Sequence, residues 1–197
     1  MASLRILIWC NVMSKPFYTF FISIVLALGG CGGQLYKVAA PPKTTPPILA
    51  PAANGVLAAA KALTGDEAME QFEANLLLAS VIAVDVRLVN QTAEPVQLGT
   101  PSWELRDSGG TLFKLLAPKQ ALARVMGYYG KRLYSPGGYQ QTLEKYETLA
   151  LPLSFTLAPR EERRGFLFFE TKYEATGVSG LTLTIAGPAG PIKLKLN

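Results

Sequence analysis

From Val81 onward the apolar residues of this chain fall at every second position, and that spacing constrains the fold more than any other feature. Ile82, Val84, Val86 and Leu88 alternate with Asp85 and Arg87. Successive side chains of a strand point to opposite faces, so the pattern predicts a half-buried β-strand. Asn90 to Pro95 reads as a turn and Val96 to Leu98 as a short strand. Trp103 and Leu105 then alternate with Glu104 and Arg106, and Asp107-Ser108-Gly109-Gly110 turns the chain into Thr111–Leu115. Further strand signals come at Leu153, Phe155 and Leu157. The run from Arg164 to Glu170 reads as a strand buried on both faces. Leu181, Leu183 and Ile185 make another. Gly187-Pro188-Ala189-Gly190 turns into Ile192, Leu194 and Leu196, with Lys193 and Lys195 facing water. This succession of about seven or eight short strands predicts a mainly β fold, an immunoglobulin-like antiparallel β-sandwich with a few short helices. Crossover helices do not recur between the strands, which argues against a parallel α/β sheet.

The helical signals are few. Val56 to Leu63 is Ala-rich and reads as a short helix that stops and restarts at Thr64-Gly65-Asp66-Glu67. Asp66 to Asn75 carries Ala68, Met69, Phe72 and Leu76 at helical spacing, with Glu67, Glu70 and Glu73 on another, solvated face. Pro118 suits a first helical position, with Lys119 to Met126 following, and Gln140 to Ala150 reads as helical. Between these lies the segment Gly127 to Tyr139. Tyr128, Tyr129, Tyr134 and Tyr139 are interleaved there with Lys131 and Arg132. Exposed tyrosines offer contact area with a polar tip, so these six residues form the candidate binding loop of the chain, for an envelope protein or a glycan. The alternative is a loop whose tyrosines pack over the end of the sandwich.

Upstream, Lys15 precedes an apolar run from Phe17 to Leu28 that is broken only by Tyr18, Thr19 and Ser23, and small residues follow. This is the layout of a secretory signal. About a dozen residues fall well short of the ~20 that span a bilayer. A start at Met13 gives a more compact leader than a start at Met1. The run ends in Leu28-Gly29-Gly30-Cys31, which resembles the lipobox of bacterial lipoproteins. The resemblance implies cleavage between Gly30 and Cys31 and a lipid on the Cys31 thiol, with Gly29 a less usual occupant of its position. Gly32 stands where such proteins carry an aspartate for inner-membrane retention. This implies an outer-membrane address facing the periplasm. The expected organisation is a signal peptide over 1–30, a lipidated cysteine and Pro/Ala-rich tether over 31–55, and one sandwich domain with an N-terminal helical segment over 56–197. A Pro-rich tether is extended and semi-rigid.

A second resemblance covers about residues 66–186. Phe72, the run Val84-Asp85-Val86-Arg87-Leu88-Val89-Asn90 with Glu94-Pro95-Val96, Trp103 to Asp107 with Gly110, and Leu157-Ala158-Pro159 with Arg164-Gly165-Phe166-Leu167-Phe168-Phe169-Glu170 carry it. Together they are similar to a loose family of uncharacterised bacterial lipoproteins and secreted domains with an immunoglobulin-like sandwich. That family often has a glycine where this chain has Arg160. The resemblance implies a fold and a location and transfers no catalytic residue.

Composition then narrows the chemistry. The chain has two cysteines, Cys10 in the leader and Cys31, so no thiol is left in the body for a disulfide, a zinc-thiolate site or a nucleophile. It has no histidine, which removes the commonest general base and the usual form of a serine triad. Thr142-Leu143-Glu144-Lys145 has the spacing of a Thr-x-x-Lys but lacks the partner motifs, and neither a Walker loop nor a G-x-G-x-x-G is present. Removing the leader, which holds Arg5 and Lys15 and no acids, takes the net charge from +5 to +3, without a basic stripe for nucleic acid. The expectation is a lipid-anchored envelope protein acting as a non-enzymatic binding or scaffold module, without cofactor or metal. An assembly factor of a secretion or pilus machine and an enzyme of unrecognised type are the competing classes.

Overall fold

The computed structural model describes residues 42–52, 55–98, 102–130, 136–172, 179–187 and 190–196. Gly30, Cys31, Lys131, Arg132 and Tyr134 lie outside them. Ten strands and three helices follow one another: β1 (Ala50–Pro51), β2 (Val56–Ala62), α1 (Gly65–Phe72), β3 (Val81–Asn90), β4 (Val96–Gln97), β5 (Ser102–Arg106), β6 (Leu112–Leu116), α2 (Pro118–Tyr129), α3 (Pro136–Leu149), β7 (Thr156–Leu157), β8 (Glu162–Glu170), β9 (Leu181–Gly187) and β10 (Gly190–Leu196). Eight strands form one antiparallel sheet in the order β1-β2-β3-β8-β6-β5-β9-β10, and β4 and β7 form a separate pair. The fold is mainly β, as the alternation predicts.

The sheet curls because β6 serves two partners. Leu112 and Phe113 pair with β5, while Lys114 to Leu116 pair with β8. Ile82, Val84, Val86 and Leu88 therefore face Leu105, Leu183 and Ile185 across one core inside the curl. The opposite face of β3 and β8 is covered by the helices. Phe72 packs edge-on against Phe166 and Phe168 at 5.2 and 5.6 Å between ring centres, and Tyr146 stacks on Phe168 at 5.4 Å. A second core of these rings with Leu122, Val125 and Leu149 results. Each buried side chain of this size contributes roughly 1.5–3 kcal/mol through burial.

Local chemistry sets the element ends. Thr64 caps α1: its Oγ1 accepts from Glu67 N at 3.2 Å, and Glu67 Oε2 accepts from Thr64 N at 3.0 Å, a reciprocal box that satisfies two otherwise orphaned donors. Pro118 opens α2 as expected. At the β5–β6 hairpin Asp107 Oδ1 accepts from Thr111 N at 2.8 Å, and Gly110 takes a φ of +82°.

Four expectations are corrected. Val56–Leu63 is strand, not helix: β2 pairs residue for residue with β3, from Val56 opposite Asn90 to Ala62 opposite Val84. Alanine's helix preference amounts to a few tenths of a kcal/mol per residue, less than a ladder and a buried face supply. Asp85 is not on a solvent face; it is fully buried, because helices and the N-terminal segment cover the outer face of β3. Of the Leu153-Phe155-Leu157 signal only Thr156–Leu157 is strand. Finally, α3 begins at Pro136, four residues before the expected start.

The described part of the Pro/Ala-rich segment, expected as tether to residue 55, lies against the domain. Thr44 is 5 % exposed and Pro47 is buried. Ala50 and Pro51 pair with Ala58 and Leu57 along the outer edge of β2. Prolines cannot donate to a further strand, so this strap blunts the edge it covers.

Candidate functional site

The strap is held by a charged clasp. Arg164 Nε lies 3.0 Å from Asp85 Oδ1 and Nη2 lies 2.5 Å from Oδ2. The same Nη2 donates to the Thr44 carbonyl at 2.7 Å and to Thr44 Oγ1 at 2.9 Å, while Thr44 Oγ1 donates to Asp85 Oδ2 at 3.2 Å. Beside it, Lys43 N donates to the buried Gln71 Oε1 at 2.7 Å. Arg87 bonds Glu162 through both ends of its fork at 2.7 and 3.0 Å, which holds the Glu162 carboxyl below its ordinary value. All four charges sit on the outer face of β3 and β8 and neutralise one another. The Asp85 carboxylate spends its lone pairs on Arg164 and Thr44, which fastens the strap to β3 and β8.

The acidic face expected on α1 is also partly engaged. Lys61 bonds Glu67, and Lys145 bonds Glu73 at 2.9 Å. Burial pushes the Glu67 carboxyl up, but its bonds to Lys61 and Thr64 outweigh that and leave it below the usual range. The Lys145 bond lowers Glu73 in the same way. Among the described residues no group of three or more acids, histidines or cysteines is arranged to hold a metal ion.

The tyrosine segment divides. Tyr129 Oη accepts from Asn75 N at 3.1 Å and donates to Asn75 O at 3.2 Å, tying the end of α2 to the turn after α1. Tyr139 is half-buried against the helical core. Tyr128 is 45 % exposed and meets Tyr129 edge-on at 4.9 Å between centres. Of the described tyrosines in that segment, Tyr128 is the most exposed, while the other two help to hold the helices.

The motif residues that carry the family resemblance are accounted for by packing. Asn90, fully buried, donates through Nδ2 to the carbonyls of Glu94 (2.8 Å), Leu157 (3.2 Å) and Ala158 (3.1 Å), and its Oδ1 accepts from Thr92 N at 2.9 Å. It thereby knots the Glu94-Pro95 turn to the Leu157-Ala158 turn. Trp103 Nε1 donates to the Leu153 carbonyl at 3.1 Å. Gly165 lies beneath the chain leaving α3: a Cβ there would stand 2.8 Å from Leu151 N and 2.9 Å from its Cα. Arg160, where that family often has glycine, has a φ of +62°, the left-handed region glycine occupies without strain. Among the described residues no buried side-chain nitrogen or oxygen lacks a partner.

Besides a groove of about 500 Å³ beside Ser108, Gly180 and Leu196, two further surface grooves lie among the described residues. One of about 270 Å³ lies between the ends of α2 and α3, with Leu153 half exposed on its rim. The other, about 530 Å³, runs between the strap with β2 and the outer strand β10; Ile48, Lys193 and Lys195 line it. Among the described residues no helix is long and apolar enough to cross a membrane.

No protein-family model and no curated protein sequence matches this chain. Among solved structures, the yjhA protein of Bacillus subtilis aligns at a TM-score of 0.41 and 9 % identity, over 76 % of this chain and 96 % of that one. A conserved hypothetical protein of Bacillus anthracis aligns at a TM-score of 0.29 and 16 % identity, over 57 % and 66 %.

Proposed function

We propose that this chain is a lipid-anchored protein of the bacterial cell envelope, whose β-domain is a non-enzymatic binding or scaffold module held close to the membrane. The carrying observation is Leu28-Gly29-Gly30-Cys31 after an apolar leader, with no other cysteine between Cys31 and the C-terminus. The one thiol left in the mature chain has lipid attachment as its role. Its acyl chains, at ~0.8 kcal/mol per buried CH₂, make a durable anchor. The clasp at Thr44 supports a short leash. The eleven residue steps from Cys31 to Pro42 allow a reach of at most about 40 Å, where a Pro-rich tether running to residue 55 would reach about 70 Å. The proposed address is the outer membrane, facing the periplasm. The buried polar groups of the domain are engaged in fastening strands and turns, which favours a rigid module over a catalyst.

Fractionation of cells expressing Cys31→Ser, with intact mass of the wild-type protein, tests the anchor. The expected result is an acylated wild type in the membrane fraction and a variant lacking the acyl mass, with its domain released. A variant that stays with membranes at wild-type level overturns the reading.

A further inference from the structure

We infer that the face formed by Ile48, Lys193 and Lys195 docks on a membrane surface carrying anionic headgroups. The inference rests on the lipid anchor and deepens it: it says which side of the domain meets the bilayer. Ile48 is 93 % exposed at the rim of the groove between strap and β10, an aliphatic side chain open to water directly after Pro46 and Pro47. Lys193 and Lys195 are exposed across the same groove. Lys61 also lines it, but Glu67 already neutralises that ammonium.

The surroundings of the two lysines are free of acids on their own hairpin, since neither β9 nor β10 carries Asp or Glu. The ladder sets Lys193 opposite Thr184, which is opposite Glu104, and Lys195 opposite Thr182, which is opposite Arg106. Glu104 is itself bonded to Arg106 at 3.1 Å. The helices, by contrast, pack over β3, β6 and β8 and carry five acids, Asp66, Glu67, Glu70, Glu144 and Glu147, against three cations, Lys119, Arg124 and Lys145; Glu67 is bonded to Lys61, Arg124 to Glu170 and Lys145 to Glu73. Charge is thus separated across the domain, and an anionic surface attracts the β10 side and repels the helical side. Lysines flanking an exposed aliphatic group match a bilayer interface, where ammonium groups meet phosphates and the apolar tip enters the acyl boundary. The leash permits this. Pro42 is eleven residues from Cys31, a reach of at most about 40 Å when extended, and Ile48 follows only six residues later, so an anchor in the bilayer keeps Ile48 within reach of the same surface.

The test uses the acylated protein in phosphatidylcholine vesicles with and without phosphatidylglycerol. An environment-sensitive fluorophore is placed through Ile48→Cys, or through Thr148→Cys on exposed α3 as the comparison site. At position 48 the expected result is a blue shift and quenching by brominated acyl chains, seen with phosphatidylglycerol and reversed by salt. Adding Lys193→Gln and Lys195→Gln should lower the docked-to-undocked ratio roughly thirtyfold, at the ordinary strength of one lysine near a charged leaflet. A probe at 48 as water-exposed as the one at 148 in phosphatidylglycerol vesicles overturns the inference. Equal burial in vesicles of phosphatidylcholine alone overturns its headgroup chemistry. Intact mass separates the two readings: an unmodified Cys31 removes the anchor and this inference with it, whereas an acylated Cys31 with an exposed probe removes the docking face alone.

Discussion

Asp85 shows how a single side chain changes meaning when a fold closes over it. On the alternating pattern it belongs to the polar side of β3, and that side is polar only until something covers it. The strap and the helices do so, and the carboxylate then needs Arg164 and Thr44. Breaking a buried pair by removing one partner leaves an uncompensated charge. Asp85→Ala should therefore destabilise the protein by about 3–5 kcal/mol, and Thr44→Val by about 1 kcal/mol. Urea midpoints of both variants and of the double variant measure this; a double variant equal to the sum of the singles would mean that strap and pair are not coupled. The tyrosines make a second residue-scale case. Tyr129→Phe gives up both bonds to Asn75 and should cost about 1 kcal/mol, whereas Tyr128→Ser should stay within about 0.5 kcal/mol of wild type. Thermal melts of the two variants distinguish a packed ring from a presented one. Seen singly in the sequence, the two tyrosines are indistinguishable, since adjacent residues of one helix end differ only in which side of it they face.

At the scale of elements, the strands were legible and their partners were not. The periods of β3, β5, β9 and β10 announce themselves, because one inward face gives alternation. β2 does not: alanine is small enough to sit in a crowded strand and is also the best helix former, so its sequence supports both states until β3 is beside it. The meeting of α3 with β8 is equally hidden. Gly165 is a glycine in a strand, a usual sign of close approach, and the structure supplies what approaches. Gly165→Ala should push the Leu149–Leu151 backbone off β8 and cost about 1–3 kcal/mol, with exchange of the Leu151 amide, which donates to the Phe166 carbonyl at 2.9 Å, accelerated beyond the global effect. Unchanged protection at Leu151 would show that the sheet absorbs the methyl elsewhere.

For the molecule as a whole, the strap decides where the domain begins. A Pro/Ala-rich composition by itself predicts extended chain, and Ala50–Pro51 within it is strand. Composition does not say whether extended chain runs free or lies along a strand edge, since both satisfy proline equally. What separates them is Thr44 held 120 residues away in sequence by Arg164, a contact that no local pattern contains. The same holds for the proposed docking face: Ile48 and Lys193 belong to opposite ends of the domain and share a groove because the curl of the sheet brings β10 toward β2.

The sequence alone determined the β character of the chain, its hairpin turns and the helix starts at Thr64 and Pro118, and it carries the Leu28-Gly29-Gly30-Cys31 pattern on which the proposed anchor rests. Each of these depends on residues within a few positions of one another, where period, turn chemistry and composition act directly. Tertiary structure alone decided the strand order, the state of β2, the burial of Asp85 and the fastening of Thr44 and Ala50–Pro51 to the domain. Those outcomes depend on what lies across a core or over a face, and the energy that fixes them is released only when distant segments exclude water together.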